Sequence, residues 1–273
     1  MNRQGRDRRI FEELIRFLDK KKASAKFPGE LILEVGKFFL GAPYMAGTLE
    51  TKRAEHLVIN LRKFDCVTFV ENVVALARFI KSREKSFKAF QRLLQQIRYR
   101  QGRLQGYSSR LHYFSDWIHD NEKKGIVRDV TSEIGGRPLR RAMSFMTAHL
   151  NLYPPLKNAA NLQRMKPIER AISRRSLFFI PKKALRRLED RIRDGDLIAI
   201  TTNREGLDVQ HVGLASKVKN RIHLLHTSSV EGKVVLFKKT LYRYLMQSQA
   251  RSGIMVVRVI MTQNGRGYRE EVK

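Results

Sequence analysis

Leu207-Asp208-Val209-Gln210-His211-Val212-Gly213-Leu214-Ala215, followed after Ser216-Lys217-Val218-Lys219-Asn220 by Arg221-Ile222-His223-Leu224-Leu225-His226-Thr227-Ser228-Ser229, is the stretch that decides the fold. Two runs rich in β-forming residues are parted by a polar link, which predicts an antiparallel pair of strands. Strand alternation puts Val209, His211, Gly213 and Ala215 on one face. A hairpin loop of two or four residues centred between Val218 and Lys219 sets His211 directly opposite His226, where cross-strand Cβ atoms lie roughly 4.5–5.5 Å apart. His226 is then positioned to orient the imidazole of His211, as the third member of a triad does. His223 and His226 are three apart and point to opposite faces, which argues against a shared metal.

Working outward, residues 197–201, 233–237 and 254–260 are further short β-like runs. The first half is helical in pattern. Residues 8–20 carry Ile10, Phe11, Leu14, Ile15 and Leu18 at helical spacing, and 29–40 carry Leu31, Ile32, Val35, Phe38 and Phe39. Gly41-Ala42-Pro43-Tyr44 breaks that pattern. Residues 68–80 form a third amphipathic helix with Val70, Val73, Val74, Ala77 and Ile80 on one side; 87–97 and 116–122 are also helical. Helices first and an antiparallel sheet after is an α+β arrangement. The expected organisation is a helical extension over 1–40, one compact domain over 41–262 and a loose polar tail over 263–273.

With 273 residues, of which 42% are hydrophobic and 30% charged, the chain is long enough for a sizeable core. No apolar run reaches the roughly 18 residues of a membrane helix. The net charge of +29 points either to a solvated basic surface or to an acidic polymer as partner. The basic clusters at 20–22, 140–141, 182–183 and 186–187 are scattered and carry no nucleic-acid motif, so nucleic acid is not expected as a partner. The basic, polar N-terminus over 1–9 is not a signal peptide. As written, the sequence points to the cytoplasm; a leader already removed would point to the periplasm or cell envelope. Oligomeric state is not encoded in any recognisable pattern.

Cys66 is the only cysteine, which excludes an intramolecular disulfide and cysteine-rich zinc sites. It stands in Phe64-Asp65-Cys66-Val67-Thr68-Phe69-Val70-Glu71, where Asp65 is placed to cap the helix that follows. Cys66 then sits in the first helical turn, where free N–H groups and the helix dipole favour a thiolate and are able to hold an oxyanion. Burial as an inert core thiol is the competing reading.

Taken together, Gly41-Ala42-Pro43-Tyr44, Asp65-Cys66, His211-Val212-Gly213 and His226 resemble the NlpC-type papain-like cysteine hydrolases. The chain is most similar to their N-acetylmuramoyl-L-alanine amidase-like branch, through 64–71, His112-Tyr113-Phe114-Ser115-Asp116-Trp117-Ile118, 206–213 and His226-Thr227-Ser228-Ser229. The resemblance spans roughly 41–259. It departs where many members follow Asp-Cys with Ser-Gly, since this chain has Val67-Thr68.

The resemblance implies a circularly permuted papain-like fold, with the nucleophile helix packed on an antiparallel sheet. It also implies a bacterial cell-wall amidase acting on peptidoglycan or muropeptide fragments without a cofactor, with Cys66, His211 and His226 as the catalytic set. Tyr44 would lend its hydroxyl to the oxyanion or substrate, or simply pack in its turn. Asp65, His112, Tyr113, Asp116, Trp117 and Ser144 are further candidates for substrate contact, with capping sufficient to explain Asp65 and core anchoring the alternative for the aromatics. The competing functions are a stem-peptide endopeptidase using the same site, a non-catalytic wall- or polyanion-binding protein, and a histidine zinc hydrolase, against which the spacing argues.

Overall fold

The structure is a computed structural model that describes residues 3–50 and 54–261. The hairpin forms, with β5 (Val209–Val218) and β6 (Arg221–Ser228) joined by the two-residue turn Lys219-Asn220. Both turn residues have positive φ, 47° and 60°, the backbone of a tight hairpin turn whose twist matches the flanking strands. The turn centre therefore lies one residue beyond the expected point. Val218 pairs with Arg221 and Leu214 with Leu225, so the register carries His226 toward Gly213 and not toward His211.

Around this hairpin the chain builds an antiparallel sheet in the order β2-β3-β8-β4-β5-β6-β7, with β1 also pairing β8. The remaining strands are β1 (Val127–Asp129), β2 (Arg137–Leu139), β3 (Leu177–Pro181), β4 (Leu197–Thr202), β7 (Lys233–Leu236) and β8 (Arg251–Val259). The helices are α1 (Arg3–Lys20), α2 (Pro28–Phe38), α3 (Cys66–Lys81), α4 (Phe87–Arg98), α5 (Phe114–Lys123), α6 (Phe145–Ala148), α7 (Ala159–Ser173), α8 (Leu185–Leu188) and α9 (Leu241–Met246). The α+β reading holds, and the helix bearing Cys66 lies against β5 and β6.

The two faces of the sheet bury different elements. Val212, Leu214, Leu225 and Val257 join Phe69, Val73 and Val74 of α3 in one core, which extends through α1, α2 and α4. Phe11 of α1 packs its ring 5.0–5.6 Å from those of Phe79, Phe87 and Phe90. On the opposite face Ile198, Ile200, Ala215, Leu224 and Ile254 meet Leu185 of α8 and Leu241 and Leu245 of α9. A third cluster joins Tyr107, Tyr113, Phe145, Met146, Met165 and Ile172 around α6 and α7.

Several elements differ from expectation. Helix α1 begins at Arg3, within a basic stretch without apolar periodicity; its early turn is anchored by the buried Asp7, whose Oδ1 accepts from the Leu61 amide at 2.8 Å and from Arg62 at 3.0 Å. Helix α7 was not anticipated: it holds Pro167 inside it and buries only Met165, Glu169 and Ile172. Its start is fixed by Asn158, whose Oδ1 accepts from the amides of Ala160 and Asn161. Strands β1 and β2 are three residues each and too short for a period-two signal. The expected tail over 263–273 lies outside the described residues.

Candidate active site

Cys66 is the first residue of α3, as the Asp65 cap required. Asp65 Oδ1 accepts from the Thr68 amide at 2.8 Å, and Thr68 Oγ1 accepts from the Asp65 amide at 3.0 Å, a reciprocal capping box. Thr48 Oγ1 donates to Asp65 Oδ2 at 3.3 Å, so both carboxylate oxygens are engaged. The β5–β6 ladder stops at Leu214 and Leu225, and beyond it the Val212 backbone favours the Cys66 thiolate, as do the backbones of Cys66 and Val67.

His211 lies next in sequence to Val212. Its register opposite Ile200 shifts before Thr201, which pairs with Val209, so Gln210 forms a bulge. The bulge turns Val209 into the α3-side core, whereas His211 points to the α9 side. The expectation that Val209 shares the face of His211 fails for this reason. Although the register is offset, His211 Nε2 and His226 Nδ1 are 2.7 Å apart, a diagonal contact that long side chains on neighbouring strands can make. Their rings stand nearly perpendicular, at 88°. His226 is buried, and its Nε2 has no partner among the described residues. His223 turns away and bonds the Phe237 carbonyl through Nδ1 at 3.0 Å.

The electrostatics correct one expectation. Burial, followed by the charge of Asp65, pushes the Cys66 thiol up to about 12 against the opposing pull of those three backbones. Burial also lowers His211 to about 3 and His226 to about 4, with the Arg251 guanidinium adding to both. The resting pair is a neutral thiol and a neutral imidazole, not the thiolate that the helix terminus alone favours. Tyr44 faces the same sulfur: burial and then the charge at Cys66 and Asp65 raise its phenol. An isolated bridge from Tyr44 to Phe64, beside Asp65, holds it there.

Tyr244 and Arg251 were not singled out in the sequence. The Tyr244 ring lies 5.3 Å from that of His226 and 6.2 Å from that of His211, and its phenol also feels Cys66. Arg251 stacks over Tyr244 at 3.8 Å and donates to the Tyr244 carbonyl. Neither bears a fixed spacing to the histidines; α9, which packs on both β6 and β8, brings them in.

The remaining candidates sit elsewhere. Asp116 is 1% exposed and bonds Arg100 at 2.6 Å and Arg175 at 2.7 Å. Tyr113 donates to Glu169 Oε1 at 2.7 Å and accepts from the Met146 amide. Trp117 is fully buried, stacked on Phe114 at 4.9 Å. His112 is held by the Tyr107 carbonyl at 2.9 Å, and burial followed by the Arg110 charge lowers it well below its ordinary value. These four make their contacts with the interior. Ser144 is exposed, with its amide on the Gly206 carbonyl. The link between these segments and the site is Asp208, buried, which accepts from the Ser115 amide at 2.7 Å and so ties α5 to the start of β5. Among the described residues no group of three His, Cys, Asp or Glu side chains is arranged to hold a metal ion, and no helix is long and apolar enough to cross a membrane.

Comparison with known proteins places this arrangement. A family model described as AmiA-like, N-acetylmuramoyl-L-alanine amidase-like, matches residues 34–254. The chain belongs to that family. An N-acetylmuramoyl-L-alanine amidase from Bacteroides uniformis is 41% identical, with a TM-score of 0.81 over 85% of this chain and 98% of its own. A Bacteroides fragilis protein provisionally named a xylanase is 42% identical, with a TM-score of 0.78 over 83% of this chain and 100% of its own. Protein LPG0564 of Legionella pneumophila shares the fold at 21% identity and a TM-score of 0.68, over 94% of this chain and 97% of its own. No curated protein matches. An AmiA-like amidase family supports a hydrolase of the cell wall, with peptidoglycan as the substrate class.

Proposed function

We propose that this chain is a cysteine-dependent amidase of papain-like, circularly permuted type, which cleaves the bond between the lactyl group of N-acetylmuramic acid and L-alanine. The observation that carries the reading is the 2.7 Å contact from His211 Nε2 to His226 Nδ1, on the strands against which the Cys66 helix packs. In the tautomer that serves catalysis, His211 donates Nε2–H to His226 and keeps a lone pair on Nδ1. Because the thiol rests protonated, its proton passes to His211 Nδ1 as sulfur attacks the lactyl carbonyl. Amides of Cys66 and Val212, with the Tyr44 phenol, stabilise the oxyanion. His211 returns the proton to the leaving L-alanine nitrogen. It then takes one from water, which adds to the thioester carbonyl and releases muramic acid and the thiol. Glycoside hydrolysis asks for two opposed carboxylates; Asp65, the carboxylate beside Cys66, is engaged as a helix cap.

Digestion of a purified muramoyl-peptide by the wild type and by Cys66→Ala, read by mass spectrometry, tests this. Release of an intact stem peptide with a free L-alanine amine, lost in the variant, is the expected result. A cut inside the stem moves the chain to the endopeptidases. Cleavage by both proteins removes Cys66 from the chemistry.

A further inference from the structure

A cavity of about 510 Å³ opens where β2, β3, α8 and the ends of β4 and β8 meet, outside the site described above. Arg137, Lys182, Lys183 and Arg187 line it, together with Asn203 and Ser252, and no carboxylate does. Among the described residues none of these four cations makes an ion pair. Some enclosed cations elsewhere meet a carboxylate: Arg98 meets Glu71, Arg110 meets Glu50, and Arg258 meets Asp196. Two of the four are also held in place. Lys182 Nζ donates to the Ser248 carbonyl at 3.0 Å, and the Arg137 guanidinium lies 5.2 Å from the centre of the Phe179 ring. These four cations, from β2, the β3–α8 link and α8, gather positive charge around one hollow with no carboxylate among them, which favours an anion there.

The cavity lies at the His211 end of the sheet. Ser252 follows Arg251, the residue stacked beside the histidines, and Asn203 lies just past the β4 segment that pairs with His211. From β3 through β8 and β4 to β5 are three strand spacings, roughly 14 Å. One extended polymer is able to reach both places. Two guanidinium forks and two ammonium groups, with amide and hydroxyl donors between them, suit tetrahedral phosphate oxygens better than a single planar carboxylate.

We propose that this cavity is an anion subsite for a phosphodiester segment borne on the wall polymer, holding it while Cys66 acts on the same polymer. The cell-wall origin of the ligand rests on the amidase reading; the site itself does not.

Calorimetric titration with tripolyphosphate tests the site without any turnover. Lys183→Glu/Arg187→Glu, both exposed positions, weakens binding on the order of tenfold or more at low salt. Arg16→Glu/Lys217→Glu, the same charge change far from the cavity, leaves it unchanged. Equal weakening by both pairs overturns the proposal in favour of a diffuse basic surface. Tighter binding of a duplex oligonucleotide than of tripolyphosphate, abolished by the first pair alone, reassigns the cavity to nucleic acid. For the ligand's source, wall sacculi carrying phosphodiester polymer are compared with the same sacculi stripped of it. The wild type digests the first faster, the cavity variant digests both alike, and a short muramoyl-peptide is cut equally by the two proteins. No preference in the wild type overturns the wall source. Failure of the amidase reading appears separately, as no digestion by either protein while the calorimetric result stands.

Discussion

Gly213 of β5 faces His226 of β6 so closely that a Cβ on the glycine would lie 2.9 Å from the histidine's own Cβ and 2.9 Å from the Leu225 carbonyl oxygen. The backbone oxygen cannot step aside, so a methyl group there displaces β6 or His226. Gly213→Ala should cost about 1–3 kcal/mol of stability. It should also lower kcat/KM roughly ten- to a hundredfold, by moving the ring that holds His211. Denaturant unfolding and steady-state kinetics read the two effects; wild-type values for both would mean that the approach is not required.

Arg98 and Glu71 form an ion pair at 2.7 Å, with both side chains almost wholly buried between α3 and α4. Arg98 also donates to the Val58 carbonyl at 2.6 Å. Burial raises the Glu71 carboxyl, with Arg98 opposing that rise. Arg98→Met leaves a carboxyl group enclosed without its partner and should cost about 3–5 kcal/mol. Adding Glu71→Gln should restore a substantial part of the loss. A double variant no more stable than the single one would show that packing, and not the charge, is what Arg98 supplies.

The difference between what the sequence announced and what it hid follows from range. The Asp65-Thr68 cap and the Cys66 position were legible because a helix terminus is fixed by residues three apart. The histidine pair was legible through strand alternation, even though the hairpin register was misjudged by the position of its turn. Tyr244 and Arg251 were not legible, since their place beside the histidines depends on α9 packing on both β6 and β8. Tyr113, Asp116 and Trp117 looked like ligands for sugar or peptide because polar and aromatic residues close in sequence resemble a binding surface. Their partners, Glu169, Arg100 and Arg175, come from distant segments, and it is these that turn the group inward.

His211 and His226 are both held neutral by burial, which ties stability to pH. Their folded values, about 3 for His211 and about 4 for His226, lie below the ordinary 6.5. The unfolded chain therefore binds more protons on acidification, and stability falls as pH drops from 6.5 toward those folded values. Above 6.5 the contribution is present in full. Each histidine adds up to about 1.4 kcal/mol per pH unit in that window. His226→Asn should remove about half of this pair's slope, measured as the difference in unfolding free energy between pH 7 and pH 5. An unchanged slope would mean that His226 is not shielded from water.

In the proposed mechanism, Arg251 governs how far down in pH the base works. After burial, the largest influence, the Arg251 charge is common to both histidines and lowers each of them. Its guanidinium lies over Tyr244, 3.8 Å from the ring centre, and that ring borders both imidazoles. Arg251→Gln removes the charge, so both histidines bind protons at higher pH than in the wild type. In the proposed mechanism His211 acts unprotonated, so the acidic limb of kcat/KM is expected to move to higher pH, while the rate at neutral pH changes less. Lost packing on Tyr244 would instead lower the rate at every pH and leave the limb where it was. Arg251→Lys separates the two effects, because it keeps the charge and gives up the planar guanidinium. A limb that stays near its wild-type position in Lys but shifts in Gln assigns the effect to charge.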